Sequence, residues 1–280
     1  MKKSEKILKK EKSGARGFVP KKQRGKLILR AFFLLVWTGA SIIFSQLVIG
    51  YALIWIIGRE NFNQPVWTGV YAILSYTLAF LLIVFVPFLL LNKINKKQKK
   101  YAEEEKEFKA GVSRSELGLS GLPTWMDIGL APIGLIVSLF LAWILVTIFS
   151  QFSWFDPTQT QEIGFNLYAT GFDRIIAFVS LIVVAPVAEE MIFRGWLYQR
   201  LKNLFRKKIS NKVTIILSTF LVSLLFALIH GQWNVGVNVF AMSIVLCGLR
   251  EITGTIYAGI LMHMLKNGIA FYLLFVLGIG

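Results

Sequence analysis

The sequence has few charged residues and few side chains capable of chemistry. Only 16% of its 280 residues are charged, against about 25% in an ordinary soluble domain. Its single cysteine, Cys247, rules out an intrachain disulfide and a metal site built from several cysteines. Two histidines, His230 and His263, are the only imidazoles available for catalysis or for binding a metal.

Apolar residues, by contrast, make up 55% of the chain, which is more than one soluble core can bury. They fall into seven long runs, at residues 31–57, 67–91, 126–152, 175–193, 213–229, 235–249 and 252–280. The longer runs can cross a hydrocarbon layer of about 30 Å as helices. Polar residues interrupt the last run, which can form one long helix or two short ones. We therefore predict an all-α, polytopic membrane helix bundle with seven or eight transmembrane helices, and we favour eight.

The net charge of +16 is distributed unevenly between the predicted loops. One side of the predicted membrane holds 28 of the 31 Lys and Arg residues, in the segments 1–30, 92–119 and 194–212 and at Arg250. The opposite loop, 151–173, has none. Because cytoplasmic loops carry the excess of Lys and Arg, we expect a multi-pass protein of the cell membrane with a cytoplasmic amino terminus. The charge then reflects topology and attraction to anionic lipid, and not nucleic-acid binding.

Three parts of the chain differ in composition. Residues 1–30 carry twelve Lys and Arg with helix-breaking glycines and a proline, which predicts a disordered basic cytoplasmic arm. Residues 31–170 are expected to form N-terminal transmembrane helices with a cytoplasmic loop at 92–119. Ionisable residues inside predicted spans are concentrated in 171–280, and such residues are functional candidates by default. We therefore interpret 171–280 as the catalytic core.

The first polar cluster of this core contains two adjacent glutamates. Glu190 and Arg194 are i,i+4 neighbours and can form an ion pair on one helix face. Glu189 projects about 100° away from Glu190 and is free for another role. For Glu190 and Arg194, an ordinary ion pair where the helix leaves the membrane is an equally good interpretation.

The other two clusters each contain one histidine. His263 and Asn267 are i,i+4 neighbours and share a helix face, while Asn234 follows His230 by four residues and is an alternative to Asn267. A lone histidine in an apolar helix is usually a hydrogen-bonded packing residue. Both histidines of this chain, however, fall in late spans together with a glutamate pair. Lys266 is expected to direct its ammonium group outward and to be structural.

Two glutamate- and histidine-based mechanisms of amide hydrolysis fit these residues. In the first, Glu189 takes a proton from water that His230 orients. His263 and Asn267 then donate hydrogen bonds to the developing oxyanion. In the second, Glu189, His230 and His263 bind Zn²⁺, which activates the water as in a metalloprotease. The sequence has no His-Glu-x-x-His motif of the zincin type.

The three clusters resemble the motifs of a known family of membrane proteases. They match, in order, the three motifs of the intramembrane CAAX prenyl protease and bacteriocin-processing (CPBP, or Abi) family. The matching positions are Glu189-Glu190-x-x-x-Arg194, Phe226-x-x-x-His230 and His263-x-x-x-Asn267. The resemblance covers residues 173–270.

The resemblance implies an eight-helix bundle with a cavity that opens to the cytosol. It implies that Glu189 acts as the activating base together with His230. His263 and Asn267 would line the oxyanion site, with Glu190 and Arg194 supporting the helix and Phe226 supporting the site. It does not decide between the metal-free and the zinc mechanism.

The depths of Glu189 and His230 in the membrane conflict with this assignment. Counted from Asp173 and Lys212 at the ends of their spans, the two residues would lie roughly 20 Å apart in depth. They cannot then share a water molecule. We therefore predict that the helix starting near Lys212 is long and tilted and projects into the cytosol.

The favoured function is an intramembrane endopeptidase acting on a membrane-associated peptide or a lipidated protein. One alternative is a non-catalytic membrane protein that confers immunity or scaffolds a partner, in which the polar residues serve helix association. A proton-coupled transporter is a third possibility. The absence of a convincing internal repeat counts against the transporter.

Overall fold

The computed structural model describes residues 21–87, 113–158, 171–206 and 208–278. Within these ranges the chain is helical, without strands, and seven of its helices are long and apolar enough to cross a membrane. We number the helices α1 (Lys21–Ile57), α2 (Arg59–Phe62), α3 (Pro65–Phe85), α4 (Trp125–Phe149), α5 (Gly171–Phe205), α6 (Asn211–Leu228), α7 (Trp233–Thr253) and α8 (Tyr257–Val276). All but α2 are candidate spans. The predicted all-α polytopic bundle is therefore confirmed.

Two predicted boundaries are wrong. The run 252–280 forms a single span, α8, and not two, so the favoured eighth helix is not found in the described parts of the chain. The helix α1 begins at Lys21, inside the predicted arm 1–30, because residues 21–30 consist mainly of Lys, Arg, Gln and Leu, which favour a helix and outweigh the single glycine. Residues 1–20 of the arm and residues 92–112 of the predicted loop lie outside the described residues.

The helix α5 is 35 residues long. At about 1.5 Å per residue it measures roughly 52 Å, so it extends well beyond a 30 Å hydrocarbon layer. It contains two π-helical segments, Val179–Val184 and Met191–Leu197, which flank the α-helical turn Ala185–Glu190. Such wide turns inside α-helices occur frequently at functional sites. Here they bracket the two adjacent glutamates.

The helices α6 and α7 form a hairpin with a four-residue turn, 229–232. Gly231 occupies the left-handed region of φ at 69°, where a residue without a Cβ is favoured. The predicted length of α6 is wrong, because α6 has 18 residues and is the shortest of the seven spans. The additional length lies in α5, whose carboxyl end packs beside α6. The carboxyl end of α6 meets α5 just after the glutamates, where the ring centres of Phe226 and Phe193 lie 4.8 Å apart.

The buried core is centred on the carboxyl half of α5, with α6 and α7 packed around it. The helix α4 packs against α7 and α8, and its first turn has a capping box in which Thr124 and Asp127 satisfy each other's backbone N–H groups. Asp127 also accepts a hydrogen bond from the hydroxyl of Thr255, at 3.0 Å, which ties α4 to the connection before α8. The outer faces of α1 and α4 expose large apolar side chains, as lipid-facing helices do.

Candidate active site

Glu189 lies on α5 with its two carboxylate oxygens in different surroundings. Oε1 accepts a hydrogen bond of 2.5 Å from the hydroxyl of Tyr76 on α3. Oε2 lies 3.8 Å from Nε2 of His263 on α8. The side chain is 12% exposed, so Glu189 is enclosed but still accessible. One oxygen is thus fixed, and the other faces an imidazole across a gap wider than a hydrogen bond.

His263 lies between the two glutamates. Its Nδ1 is 3.3 Å from Oε1 of Glu190, and its Nε2 faces Glu189. Because a carboxylate can only accept a hydrogen bond, Nδ1 carries the proton in this contact. The carboxylate of Glu190 thereby sets the orientation of the ring and directs Nε2 toward Glu189.

Glu190 and Arg194 form the predicted i,i+4 ion pair, at 2.9 Å, and both side chains have no exposed surface. Arg194 also donates to the hydroxyl of Ser243 on α7, at 2.7 Å. Its guanidinium group lies 4.4 Å from the centre of the Phe226 ring, in a cation–π contact. The helix α8 approaches this pair at Gly259, where an added Cβ would lie 3.0 Å from Oε2 of Glu190. The pair is therefore enclosed within the protein.

Phe226 connects the two histidines. Its ring centre lies 4.9 Å from that of His230 and 6.3 Å from that of His263. The backbone carbonyl of Phe226 lies 2.7 Å from Nδ1 of His230. Since a carbonyl only accepts, Nδ1 of His230 is protonated and Nε2 keeps its lone pair. Because Phe226 contacts both rings, the hairpin turn after α6 brings His230 to the same site as His263.

Asn267 lies one turn after His263 on α8 and contacts α5 at a different point. Its Nδ2 donates to the backbone carbonyl of Leu181, at 2.9 Å. In the π-helical register this carbonyl would accept from the N–H of residue 186, but residue 186 is a proline and has none. The Asn267 side chain therefore supplies the donor that Pro186 cannot.

Asn234, the alternative to Asn267, lies at the start of α7. Its Oδ1 accepts from the backbone N–H of Asp156, at 3.3 Å, in the loop that follows α4. The hydroxyl and the backbone N–H of Thr158 bond to the carboxylate of Asp156 and hold its pKa below the ordinary value. Asn234 thus connects two loops, whereas Asn267 bonds to the helix that carries the glutamates.

Lys266 lies on the inner side of α8, contrary to the prediction that it points outward. It lines a cavity between α4, α7 and α8 and is within electrostatic reach of Glu189. Lys266 lies one turn after Met262, on the same side of α8. That side packs against α4, since the Met262 sulfur lies 3.0 Å from the Cβ position of Gly134. A lysine stem can be directed outward only where its helix face meets lipid.

The proposed zinc ligands Glu189, His230 and His263 lie around one site. Across the described ranges, however, no group of three His, Cys, Asp or Glu side chains is close enough together to hold a metal ion. Nδ1 of each histidine contacts an acceptor, which is the usual arrangement around a metal ligand, but Glu189, His230 and His263 are not such a group. The arrangement described here does not fit a metal, so we derive no step through one.

Two residues of the site were not predicted from the sequence. Tyr76 belongs to the segment 31–170, which carries no motif, and Ser243 is one of several serines in apolar spans. A tyrosine in the middle of an apolar run indicates a hydroxyl that needs a buried partner, but this signal does not identify the partner. Pro186, in contrast, gives a usable signal, because a proline within a span leaves a carbonyl to be satisfied.

Comparison with known proteins shows that the region containing this site is similar to a family of endopeptidases. A family model described as Type II CAAX prenyl endopeptidase Rce1-like matches residues 171–269, which run from the start of α5 to near the end of α8. All seven motif positions lie inside this match. Neither a curated protein nor a solved structure matches the chain. The chain is thus a multi-pass membrane protein whose residues 171–269 are similar to the Type II CAAX prenyl endopeptidase Rce1-like family, a family of proteases.

Proposed function

We propose that this protein is an intramembrane endopeptidase that hydrolyses a peptide bond of a membrane-associated or lipidated protein with water activated by Glu189. The observation that carries the proposal is the position of the Glu189 carboxylate. Tyr76 holds one oxygen, and the other faces His263 in an enclosed but accessible site. A general base needs this combination of fixed orientation and an available lone pair.

In the proposed reaction, a water molecule donates a hydrogen bond to Oε2 of Glu189. The lone pair on Nε2 of His230 accepts the second hydrogen of this water and orients it. Glu189 takes one proton as the water oxygen adds to the carbonyl carbon of the substrate. The same carboxyl group then gives that proton to the amine that leaves, so Glu189 ends the cycle ionised.

The tetrahedral intermediate needs hydrogen-bond donors for its negatively charged oxygen. We assign this role to His263, whose ring is oriented by the contact of its Nδ1 with Glu190. Asn267 also holds α8 against α5, because one N–H of its amide donates to the backbone carbonyl of Leu181. Its other N–H is available to the oxyanion. Glu190, Arg194 and Phe226 hold the histidines in place.

The topology of the proposal follows the charge distribution. We place the amino terminus and the carboxyl end of α5 in the cytoplasm, where anionic lipid would attract their basic residues. The substrate then approaches from the cytoplasmic leaflet. The residues around Glu189 specify a peptide bond and not a sequence.

The experiment is cleavage of a library of membrane-anchored peptides by the purified protein in detergent or liposomes. Wild type, Glu189→Gln and wild type with a zinc chelator are compared, with Glu60→Gln as a control that removes an exposed carboxylate. We expect cleavage by wild type, by the control variant and in the presence of chelator, and at least a thousandfold loss in Glu189→Gln.

Other outcomes have distinct meanings. Loss of cleavage with chelator, restored by Zn²⁺, would replace the proposed water activation by the zinc mechanism with Glu189, His230 and His263 as ligands. Full activity of Glu189→Gln would overturn the role of Glu189. An inactive wild type across the library would favour the non-catalytic immunity or scaffold protein.

A further inference from the structure

The segment 113–121, which precedes α4, is folded onto the end of the bundle where α7 ends and α8 begins. We refer to it as the clamp loop. It starts with a closed turn, in which the backbone N–H of Ser113 donates to the carboxylate of Glu116 and the backbone N–H of Glu116 donates to the hydroxyl of Ser113, both at 3.2 Å. None of the seven motif positions lies in the clamp loop, and the mechanism proposed above does not use it.

The clamp loop contacts α5 through Leu117. The Leu117 side chain is 8% exposed and belongs to the same buried core as Phe193. Its backbone carbonyl lies against Gly195, where an added Cβ would be 2.8 Å from the carbonyl oxygen. A backbone can approach so closely only where the residue has no Cβ. Gly195 directly follows Arg194, so the loop meets α5 one residue after the buried ion pair of Arg194 with Glu190.

Arg250, in the last turn of α7, holds the clamp loop from a second side. Its side chain is buried and donates to the backbone carbonyls of Gly254 and, at 3.2 Å, of Glu116. The guanidinium group also covers Gly118, where a Cβ would lie 2.8 Å from Cζ of Arg250 and where φ is 75°. The donors of a guanidinium group form a rigid fork, so one arginine can bridge carbonyls from two segments of the chain.

The clamp loop also contacts the start of α8. The backbone carbonyl of Gly118 accepts a hydrogen bond of 3.0 Å from the N–H of Ile256, a buried residue that immediately precedes α8. The hydroxyl of Tyr257, the first residue of α8, donates to the carbonyl of Gly121 at 2.9 Å. His263 follows on the same helix within two turns. The loop therefore connects the start of the helix that carries His263 to the helix that carries the glutamates.

The geometry of the site depends on how α5 and α8 lie relative to each other. Nδ1 of His263 is 3.3 Å from Oε1 of Glu190, and its Nε2 is 3.8 Å from Oε2 of Glu189. The first distance is already near the upper limit of a hydrogen bond, so a small separation of the two helices breaks it. A displacement of about 1 Å at a catalytic group can lower a rate about 100-fold.

We propose that the clamp loop holds α5 and α8 at the separation that the site requires, with Arg250 as a positioning residue that acts through Glu190 and His263 and does not touch the substrate. The inference rests on the proposed function for its effect on the rate. It assigns a role in that function to residues 113–121, which lie outside the region similar to the protease family.

The kinetic test loosens the clamp loop from two independent sides. Arg250→Met keeps a long apolar stem but removes the donors, and Gly195→Ala places a methyl group against the carbonyl of Leu117. For both variants we expect kcat to fall roughly 10–100-fold, with KM changed by less than about twofold. Arg59→Met removes an exposed arginine, and Gly129→Ala adds a methyl group where no atom lies within 4 Å, so both controls should behave as wild type.

A comparison of rate with stability separates positioning from a purely structural role. Rates are expressed per folded molecule and measured below the unfolding temperature of each variant. If Arg250→Met and Gly195→Ala unfold at lower temperatures but keep the wild-type kcat, the clamp loop only stabilises the fold and the proposal is overturned. A rise in KM at constant kcat would overturn it as well, because it would place the loop in contact with substrate.

A distance measurement makes the test independent of catalysis. Spin labels are attached to cysteines at Gln199 on α5 and Leu265 on α8, with the buried Cys247 replaced by alanine so that only two labels attach. In Arg250→Met and Gly195→Ala we expect the distribution of label distances to shift or broaden relative to wild type. Unchanged distributions in both variants would contradict the clamp. If wild type cleaves nothing, the proposed function fails, and this measurement alone decides whether the loop fixes the two helices.

Discussion

The hydroxyl of Tyr76 and a carboxylate oxygen of Glu189 lie 2.5 Å apart, although 113 residues separate them in the sequence. The contact joins α3, which carries no motif, to the helix that carries two of the motif glutamates. The division of the chain into a packing part, 31–170, and a catalytic part, 171–280, therefore omits one side chain that touches the proposed base.

Replacing Tyr76 tests whether this contact positions Glu189. In Tyr76→Phe the carboxylate loses a charge-assisted hydrogen bond but keeps the aromatic packing. We expect kcat to fall roughly 10–100-fold with little change in KM, because the bond orients the base and does not contact substrate. Tyr51→Phe removes a hydroxyl from an exposed tyrosine on α1 and should be unchanged. A rise in KM at constant kcat would instead assign Tyr76 to substrate binding.

The adjacent glutamates should respond in opposite ways to the same substitution. Glu189→Gln should abolish cleavage and change the free energy of unfolding by no more than about 1 kcal/mol, since its side chain is accessible. Glu190→Gln leaves the fully buried Arg194 without a counter-charge and should destabilise the protein by roughly 3–5 kcal/mol. Thermal unfolding in detergent and cleavage rates measure both effects. A stable but inactive Glu190→Gln would show that Glu190 also takes part in the reaction.

Gly259 should be required for the close approach of α8 to the buried ion pair. A methyl group there would lie 3.0 Å from Oε2 of Glu190, so Gly259→Ala should lower the free energy of unfolding by about 1–3 kcal/mol. Gly248 is a matched control on α7, because its Cβ position has no neighbour within 4 Å. Gly248→Ala should be neutral or stabilising by up to about 1 kcal/mol. Equal effects of the two changes would contradict the steric argument.

The bond from Asn267 to Leu181 predicts a coupling with Pro186. Asn267→Ala leaves a carbonyl of α5 without a donor and should cost about 1–3 kcal/mol of stability. Pro186→Ala restores a backbone N–H at the position that the π-helical register requires. In that background the cost of Asn267→Ala should be smaller, and a double-mutant cycle on unfolding free energies measures the difference. Strict additivity would show that the proline is not the reason for the contact.

The sequence alone predicts the helix class of the fold and the local part of the site. Hydrophobic runs and i,i+4 spacing are local properties, and the Glu190–Arg194 pair and the shared face of His263 and Asn267 follow from them. The partner of Glu189 does not follow, because the position of Tyr76 depends on how α3 packs against α5.

The length of α6 shows a second limit of prediction from the sequence. Counting residues from the ends of straight, membrane-long helices placed Glu189 and His230 at different depths. The count did not allow for α5, which is 35 residues long and contains two π-helical segments. Hydropathy marks where a helix enters an apolar layer, but not how far it continues beyond that layer.

The four charged side chains in and beside the site sum to zero in their formal charges. The carboxylates of Glu189 and Glu190 are balanced by Arg194, paired at 2.9 Å, and by Lys266 at the cavity. A substitution that removes one charge therefore leaves an excess of the opposite sign in a medium that screens it poorly. Variants that remove one acid and one base together, such as Glu190→Gln with Arg194→Met, keep this neutrality. They should be easier to insert and to purify than either single change.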